Sequence, residues 1–350
     1  MLILHVLGGL GNQLYQYALY EKLRALGKDV CLDVDDYTVH AREPEKRAFA
    51  LACFPGVSLR FAKRGERRKY KDDGRDLVSG IRRRLRRIGL LPETGRIVAE
   101  TEEYQEEIFS LSDGYLDGFW QNEAYFSDIL PQLREKLAFP EPEDRINAYY
   151  RDKLLSEASV GVHIRRTDYL DASHQSRYAG ICTEAYYEAA MQTALSFCSM
   201  PSAPAAEKKK NREYSAGRTE GKRETPHIYI FTDDPAYALR RLREGISWLT
   251  GAYEEAASEL SEIPAGKLPV TVCDWNYGEA SFYDMLLMSC CKVMICANSS
   301  FSMWGARLCG RKDKLMIRPL YQDIEQRESY RRIRQDWKDW VLIDDAGNNA

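Results

Sequence analysis

The segment Ser159–Tyr169 changes from apolar to charged within two residues, and this change constrains the fold more than any other feature. It opens with valines that alternate with small residues, which predicts a short buried strand. Four polar or charged side chains follow without a transition: His163, Arg165, Arg166 and Asp168. In open α/β sheets, ligands bind just beyond the carboxyl ends of the strands. The segment therefore predicts an α/β sheet with a charged ligand site at its carboxyl edge.

Arg165 is the predicted centre of that site. His163 and Arg165 are two residues apart, so an extended chain places them on one face and Arg166 on the other. Because a guanidinium can bind a phosphate group through two hydrogen bonds, Arg165 with His163 is the predicted phosphate clamp. Arg166 and Asp168 are expected to form a supporting ion pair. A purely structural salt-bridge network at the strand end is the alternative.

Length and composition favour a soluble two-domain protein. A chain of 350 residues exceeds the size at which one core usually splits, and 44% hydrophobic with 29% charged residues is ordinary for globular proteins. A net charge of -3 argues against nucleic acid as a partner. The N-terminus lacks a basic signal-peptide region, and the nine cysteines show no Cys-x-x-Cys spacing. These features predict a cytoplasmic protein with reduced thiols.

A glycine-rich loop follows the first predicted strand. Gly9, Gly11 and Asn12 lie between that strand and a helix expected to run to about Leu26. The third glycine of a dinucleotide fingerprint would fall on Leu14, so that fingerprint fails. Backbone N–H groups at a helix start, beside side-chain amides, suit a pyrophosphate or a sugar. A simple turn with Asn12 as helix cap is the alternative.

Two later strand ends carry similar chemistry. The predicted strand that starts at His227 ends in Asp233 and Asp234, of which Asp234 is expected to cap the helix that begins with Pro235. A carboxylate here can accept hydrogen bonds from a nucleotide base or ribose. After another strand, a helix is predicted to start with a phosphate-binding turn, made of Ser299, Ser300 and Phe301.

Three further segments leave alternatives open. Asp33 and Asp35 match an Asp-x-Asp metal signature, although ending a strand is the preferred interpretation. Residues 63–90 are dense in Lys and Arg, with Ile81, Leu85 and Ile88 at helical spacing, which suits either a solvated helix or an anionic membrane surface. Residues 200–225 lack periodicity and are predicted to be a disordered insertion.

Four segments resemble a known family. His163-Ile-Arg-Arg-Thr-Asp168 is similar to the sugar-nucleotide motif of inverting fucosyltransferases. Three others resemble bacterial α-1,2-fucosyltransferases, members of glycosyltransferase family 11. They are the loop Gly8-Gly-Leu-Gly-Asn-Gln13, the aromatic block Gly114–Phe126, and Asn298-Ser-Ser-Phe-Ser-Met-Trp-Gly305. In the last of these, Met303 stands where an aromatic residue is commoner in the family.

The resemblance implies a GT-B arrangement of two facing Rossmann-like domains. Residues 1–145, with the basic insertion 63–90, would form the acceptor-side domain, and residues 155–325 the GDP-fucose-binding domain. Residues 326–350 are expected to be a terminal helix and tail. The implied reaction transfers fucose from GDP-β-L-fucose, with inversion, to the 2-hydroxyl of a terminal β-galactoside in a surface glycan of the O-antigen or capsule type, or in a related oligosaccharide. A lipid-linked form of that glycan is one alternative.

The resemblance also assigns residues. Arg165, His163 and Asn12 would be catalytic, and the donor would bind Gly9, Gly11, Asn12, His163, Arg165, Asp233, Ser299, Ser300 and Phe301. No metal and no cofactor are expected. Glu123, Asp168 and Glu184 are the candidates for a general base, and none is preferred. The competing predictions are a metal-dependent glycosyltransferase that uses Asp33 and Asp35, and a non-catalytic nucleotide-binding protein.

Overall fold

The computed structural model describes residues 1–39, 48–71, 77–91, 94–172, 174–200, 225–244, 268–326 and 339–349. The chain divides into two compact units, and the boundary lies between Pro140 and Glu141. Each unit is built around one parallel sheet. The predicted insertion at 200–225 lies almost wholly outside the described residues, as does the predicted terminal helix beyond Gln326.

The first unit contains a four-stranded parallel sheet with strand order β2-β1-β4-β3. Its strands are β1 Leu2–His5, β2 Val30–Asp33, β3 Ile97–Ala99 and β4 Gly114–Asp117. Its helices are α1 Leu10–Ala25, α2 Asp35–Val39, α3 Arg64–Arg67, α4 Leu77–Arg87 and α5 Leu130–Lys136. Helix α1 follows β1 after a short loop, and its C-cap is Leu26; Gly27, with a φ of 74°, stands just beyond, where glycine commonly ends a helix.

The second unit contains a six-stranded parallel sheet with strand order β10-β9-β8-β5-β6-β7. Its strands are β5 Ser159–Ile164, β6 His227–Thr232, β7 Val270–Cys273, β8 Val293–Ile295, β9 Leu315–Pro319 and β10 Trp340–Ile343. Its helices are α6 Arg145–Ser156, α7 Gln175–Tyr178, α8 Glu184–Ser199, α9 Pro235–Glu244, α10 Phe282–Cys290 and α11 Ser300–Leu308. The helix predicted to link the domains, α6, packs on α10 within this unit.

Strand β5 lies in the interior of its sheet, between β8 and β6. All six of its residues are buried, because helices cover both faces of a parallel sheet. Val160 and Val162 belong to the core under α8 and α9. On the other face, a Cβ at Gly161 would lie 2.7 Å from both Cys291 Sγ and Met294 Sδ, so only glycine fits there.

The two units, each with one parallel sheet, confirm the predicted α/β class with two Rossmann-like domains. One prediction was wrong at the C-terminus. Trp340–Ile343 forms β10 beside β9, and Asp344 accepts hydrogen bonds from the Asn348 amides, so this part of the predicted tail is folded. Among the described residues, no helix combines the length and apolar content needed to cross a bilayer.

Candidate functional site

Three neighbouring strands of the second unit bring the predicted site residues to one edge. Arg165 follows β5, Asp233 follows β6, and Ser299 follows β8. Because these strands are parallel and adjacent in the order β8-β5-β6, their carboxyl ends lie side by side. Residues separated by up to 134 positions in sequence therefore meet at one place.

Asp233 holds the loop that carries Arg165. Its Oδ1 accepts a hydrogen bond from the Arg166 backbone N–H at 2.9 Å. Its Oδ2 accepts one from the Thr167 N–H at 3.2 Å and one from the Thr167 hydroxyl at 2.5 Å. Arg165 Nη1 lies 3.2 Å from the same oxygen. The carboxylate predicted to contact the nucleotide thus positions the arginine loop.

His163 and Arg166 point to different faces of the sheet, as the strand alternation predicts, whereas Arg165 and Arg166 line one pocket. The His163 ring lies 6.3 Å from the Phe301 ring of α11, between centroids. The Arg166 guanidinium lies 3.5 Å from the centroid of Tyr237 on α9, on the other face of the sheet. Its Nε is 3.6 Å from Asp234 Oδ2. Arg166 therefore pairs with Asp234, and the side chain of Asp168, its predicted partner, lies outside what the structure describes.

Asp234 confirms its predicted role as a helix cap. Its Oδ1 accepts a hydrogen bond from the Tyr237 N–H at 3.0 Å, in the first turn of α9. The two neighbouring carboxylates therefore have different roles. Asp233 holds the β5 loop, whereas Asp234 holds α9 and lies beside Arg166.

The turn before α11 provides backbone donors at the same sheet edge as Arg165. Helix α11 starts at Ser300, and its first N–H groups have no acceptor within the helix, so they can donate to an anion. Ser299 is buried, whereas Ser300 and Phe301 are partly exposed. The Tyr169 hydroxyl donates to the Asn298 carbonyl at 2.9 Å, which ties the arginine loop to this turn. The predicted phosphate donors are therefore at the same sheet edge as the arginine.

A pocket of about 140 Å³ opens beside the arginine loop. Arg165, Arg166, Tyr169 and Tyr178 are among its lining residues. The Tyr169 and Tyr178 rings stack at 4.9 Å. Ligand pockets usually measure about 300–1,000 Å³, so this one suits part of a nucleotide sugar. Burial raises the pKa of the Cys182 thiol in its wall to about 12, which keeps the thiol neutral.

In the first unit, the glycine loop is held by amide side chains. Gly9 precedes α1, and Gly11 is buried in its first turn. Gln13 is fully buried and donates to the carbonyls of Gly8 and Ala48, both at 2.9 Å, so its amide braces the loop from inside. Asn12 is partly exposed, and its Oδ1 accepts a hydrogen bond from Gln121 Nε2 at 2.8 Å. Of the two amides, Asn12 is the one placed to meet a ligand.

Gly8 should not tolerate a side chain. Its φ is 81°, and an added Cβ would lie 2.5 Å from Asn12 Nδ2. Gly8→Ala should cost about 1–3 kcal/mol through backbone strain and should displace the Asn12 amide. Urea unfolding measures the loss. Gly65→Ala, where an added Cβ meets nothing within 4 Å, is the matched control. Equal midpoints for the two variants would contradict the expected strain.

Glu100 was missed in the sequence and organises the aromatic block. Its carboxylate accepts hydrogen bonds from the N–H groups of Phe119 at 2.7 Å and Gln121 at 3.1 Å. Between them, Trp120 is fully buried with a φ of 56°, a conformation that costs energy for any residue other than glycine. Burial raises the pKa of Glu100, and these backbone donors oppose the rise. The loop that presents Gln121 to Asn12 is therefore built on Glu100.

His5 is a second residue that the sequence did not single out. It ends β1, and its Nδ1 lies 2.6 Å from Asp117 Oδ1 at the end of β4. Its Nε2 lies 3.2 Å from Asp36 Oδ2. Polar residues at the ends of adjacent strands were the available signal. Because both ring nitrogens contact carboxylates, His5 suits a structural role better than that of a base.

The Asp-x-Asp segment is occupied by an arginine. Arg67 Nη1 lies 3.0 Å from Asp33 Oδ1 and 2.7 Å from Asp35 Oδ1. Asp33 Oδ2 accepts a hydrogen bond from the Tyr115 hydroxyl at 2.8 Å. Asp33 also accepts from the Asp35 N–H, so it ends β2 and caps the turn, as the preferred interpretation predicted.

The three candidate bases differ in their surroundings. Glu184 pairs with Arg241 and lines the pocket of the second unit. Glu123 is buried, with 5% of its surface exposed, in the turn that Asn122 caps. The side chain of Asp168 is outside the described residues. None of these surroundings assigns the base.

Known proteins resemble this chain over the segments that carry the candidate site. A family model described as Glycosyl transferase family 11 matches residues 102–196 and 271–343, which include Arg165 and the start of α11. An α-1,2-colitosyltransferase of Escherichia coli is 26% identical over 321 residues, covering 88% of this chain and 87% of that protein. The O-antigen biosynthesis glycosyltransferase WbnK of Escherichia coli is 23% identical over 334 residues, covering 89% and 91%. A solved structure of the α-1,6-fucosyltransferase NodZ, co-crystallised with GDP, is 15% identical, with a TM-score of 0.42 and coverage of 100% and 97%.

Proposed function

The chain belongs to glycosyl transferase family 11 and is a glycosyltransferase, and we propose that it transfers L-fucose from GDP-β-L-fucose to the 2-hydroxyl of a terminal β-galactoside. The acceptor would be part of a surface glycan, in keeping with the O-antigen role that WbnK's name states. One observation carries the proposal: Arg165, Asp233 and the N-terminus of α11 converge at the ends of three adjacent strands. That edge suits a diphosphate.

The site's charges fit departure of a nucleoside diphosphate. Breaking the bond between sugar and phosphate leaves negative charge on GDP and an oxocarbenium-like sugar. Arg165 and the N–H groups at the start of α11 stabilise that negative charge as it develops. Attack by the acceptor hydroxyl from the opposite side of the ring then inverts the anomeric centre, so a β-linked donor gives an α-linked product.

Metal independence is part of the proposal. Arg165 and the α11 N-terminus already place positive potential where the pyrophosphate would bind, and Arg67 holds Asp33 and Asp35. We therefore expect full transfer from GDP-fucose to a β-galactoside in excess EDTA. The measurement is the initial rate with and without EDTA, followed by addition of Mg²⁺ or Mn²⁺. Activity that vanished with EDTA and returned with either ion would favour the metal-dependent class instead.

The donor sugar has a second candidate, because a relative's name specifies colitose. Colitose is L-fucose without its 3-hydroxyl. A site that hydrogen-bonds this hydroxyl rejects a donor lacking it, whereas a site that packs apolar atoms there discriminates weakly. The experiment compares kcat/KM for GDP-fucose and GDP-colitose with the same β-galactoside. A clear preference for GDP-colitose would make colitose, in place of fucose, the proposed donor sugar. The proposed metal independence and linkage would still be tested in the same way.

A purely nucleotide-binding role is the remaining alternative. It predicts GDP binding without consumption of the donor. Incubating the purified chain with GDP-fucose and a panel of β-galactosides, then determining product linkage and anomeric configuration by NMR, separates the two. Binding of GDP without any transfer or donor hydrolysis would contradict the proposed reaction.

A further inference from the structure

Helix α4 of the first unit exposes an apolar side to solvent. Most of its apolar side chains are exposed to solvent, and Leu85 is partly buried, although apolar side chains of a surface helix normally face the core. The exposed fractions are 87% for Leu77, 52% for Val78, 58% for Ile81, 60% for Ile88 and 69% for Leu90. We name this surface the α4 apolar face.

The opposite side of α4 contacts the protein through polar groups. Ser79 is buried, with 1% of its surface exposed. Arg82 and Arg86 each donate to the Arg68 carbonyl, at 3.5 Å in both cases. These three positions recur at three- and four-residue spacing, so they form one side of the helix, and Ile81 and Ile88 lie on another. The helix is therefore attached by its polar side.

Basic residues border the α4 apolar face. Residues 77–91 contain five arginines and no acidic residue, in a chain whose net charge is -3. Arg83, Arg84 and Arg87 are exposed. An apolar stripe bordered by exposed basic residues is typical of helices that lie in a membrane interface.

We propose that the α4 apolar face docks on a membrane surface that carries anionic lipids. The helix would lie in the membrane plane, with Leu77, Ile81 and Ile88 among the acyl chains and its arginines at the lipid phosphates. A second copy of this chain suits the face less well, because pairing α4 with itself would bring ten arginines together. The inference does not depend on which sugar the enzyme transfers.

The test is co-flotation of the full-length protein with vesicles. We expect it to bind vesicles of equal parts phosphatidylcholine and phosphatidylglycerol, to bind pure phosphatidylcholine far less, and to dissociate as salt rises. Arg84→Gln with Arg87→Gln should weaken binding by roughly 30-fold. The charge-matched control is Arg145→Gln with Lys312→Gln, two exposed positions on the second unit, which should bind as the wild type does.

A second pair of variants tests the apolar part. Ile81→Gln with Ile88→Gln should reduce binding to anionic vesicles at least tenfold. Ile146→Gln, at an exposed position on α6, is the control. Because all these side chains are exposed, donor turnover should stay unchanged and reports that the variants fold. Equal binding to neutral and anionic vesicles, or wild-type binding by the α4 variants, would overturn the proposal. The proposal would also be overturned if the wild-type protein bound no vesicles but formed a dimer that the α4 variants abolish.

Discussion

Replacing Arg165 by alanine should lower kcat/KM for the nucleotide-sugar donor by roughly 10²-fold or more, which is the usual effect of removing one charge-stabilising donor. Arg165 lies at the same sheet edge as the α11 N-terminus and contacts Asp233 at 3.2 Å, so its guanidinium is held in place before any ligand binds. Its loss removes positive charge from the pyrophosphate position and leaves the Asp233 carboxylate without its arginine. Both changes oppose donor binding and GDP departure.

Two further variants sharpen this test. Arg165→Lys keeps the charge but not the planar pair of donors, so it should recover only part of the activity. Arg240→Ala, at an exposed arginine on α9, is the control for loss of a nearby positive charge. Steady-state kinetics measure all three. Wild-type kinetics for Arg165→Ala would rule out this arginine as the phosphate clamp.

Replacing Asp233 by alanine should weaken GDP binding by roughly 1.5–3 kcal/mol, the range for hydrogen bonds to charged groups. The structure gives a reason other than direct contact with the nucleotide. Asp233 receives the Arg166 N–H, the Thr167 N–H and the Thr167 hydroxyl, so its removal frees the loop that carries Arg165. Isothermal titration of GDP into the folded variant measures the loss.

Thr167→Val separates positioning from direct binding. This change removes one donor to Asp233 and leaves the carboxylate intact. If Asp233 acts by holding the loop, Thr167→Val should also weaken GDP binding, and the kcat with GDP-fucose should fall with it. Asp234→Asn, which alters the α9 cap, is the control for loss of a neighbouring carboxylate. Loss of affinity in Asp233→Ala but not in Thr167→Val would instead indicate direct contact with the nucleotide.

The sequence predicted which residues follow three of the strands because strand ends leave local signals. The change from valines to arginines after β5, the aspartates after β6 and the serines after β8 are each visible within about ten residues. A parallel sheet then brings the three ends together. What could not be predicted is which atoms pair. Thr167 and Asp233 are 66 residues apart, and no local pattern encodes their contact.

The misses have physical causes of the same kind. Strand β10 is only four residues long, and its pairing with β9 is a tertiary contact. Glu100 looked like one acidic residue among several, because the backbone N–H groups that it binds come from a loop 19–21 residues later. For α4, periodicity predicted a helix with an apolar side. Which side faces the protein depends on the partner surface at Arg68, and the structure places the polar side there.

Because its strands run in one direction, the sheet of the second unit has two edges that differ in how far the length of their connecting segments can change. Arg165, Asp233 and Ser299 lie where strands end. In a parallel sheet, helices such as α8 and α9 end, and strands such as β6 and β7 begin, at the opposite edge. Segments of very different length can join there for a small entropic cost. Evolution, or a protein engineer adding a label, can therefore lengthen the chain at that edge while the spacing of the three turns that carry Arg165, Asp233 and Ser299 stays the same.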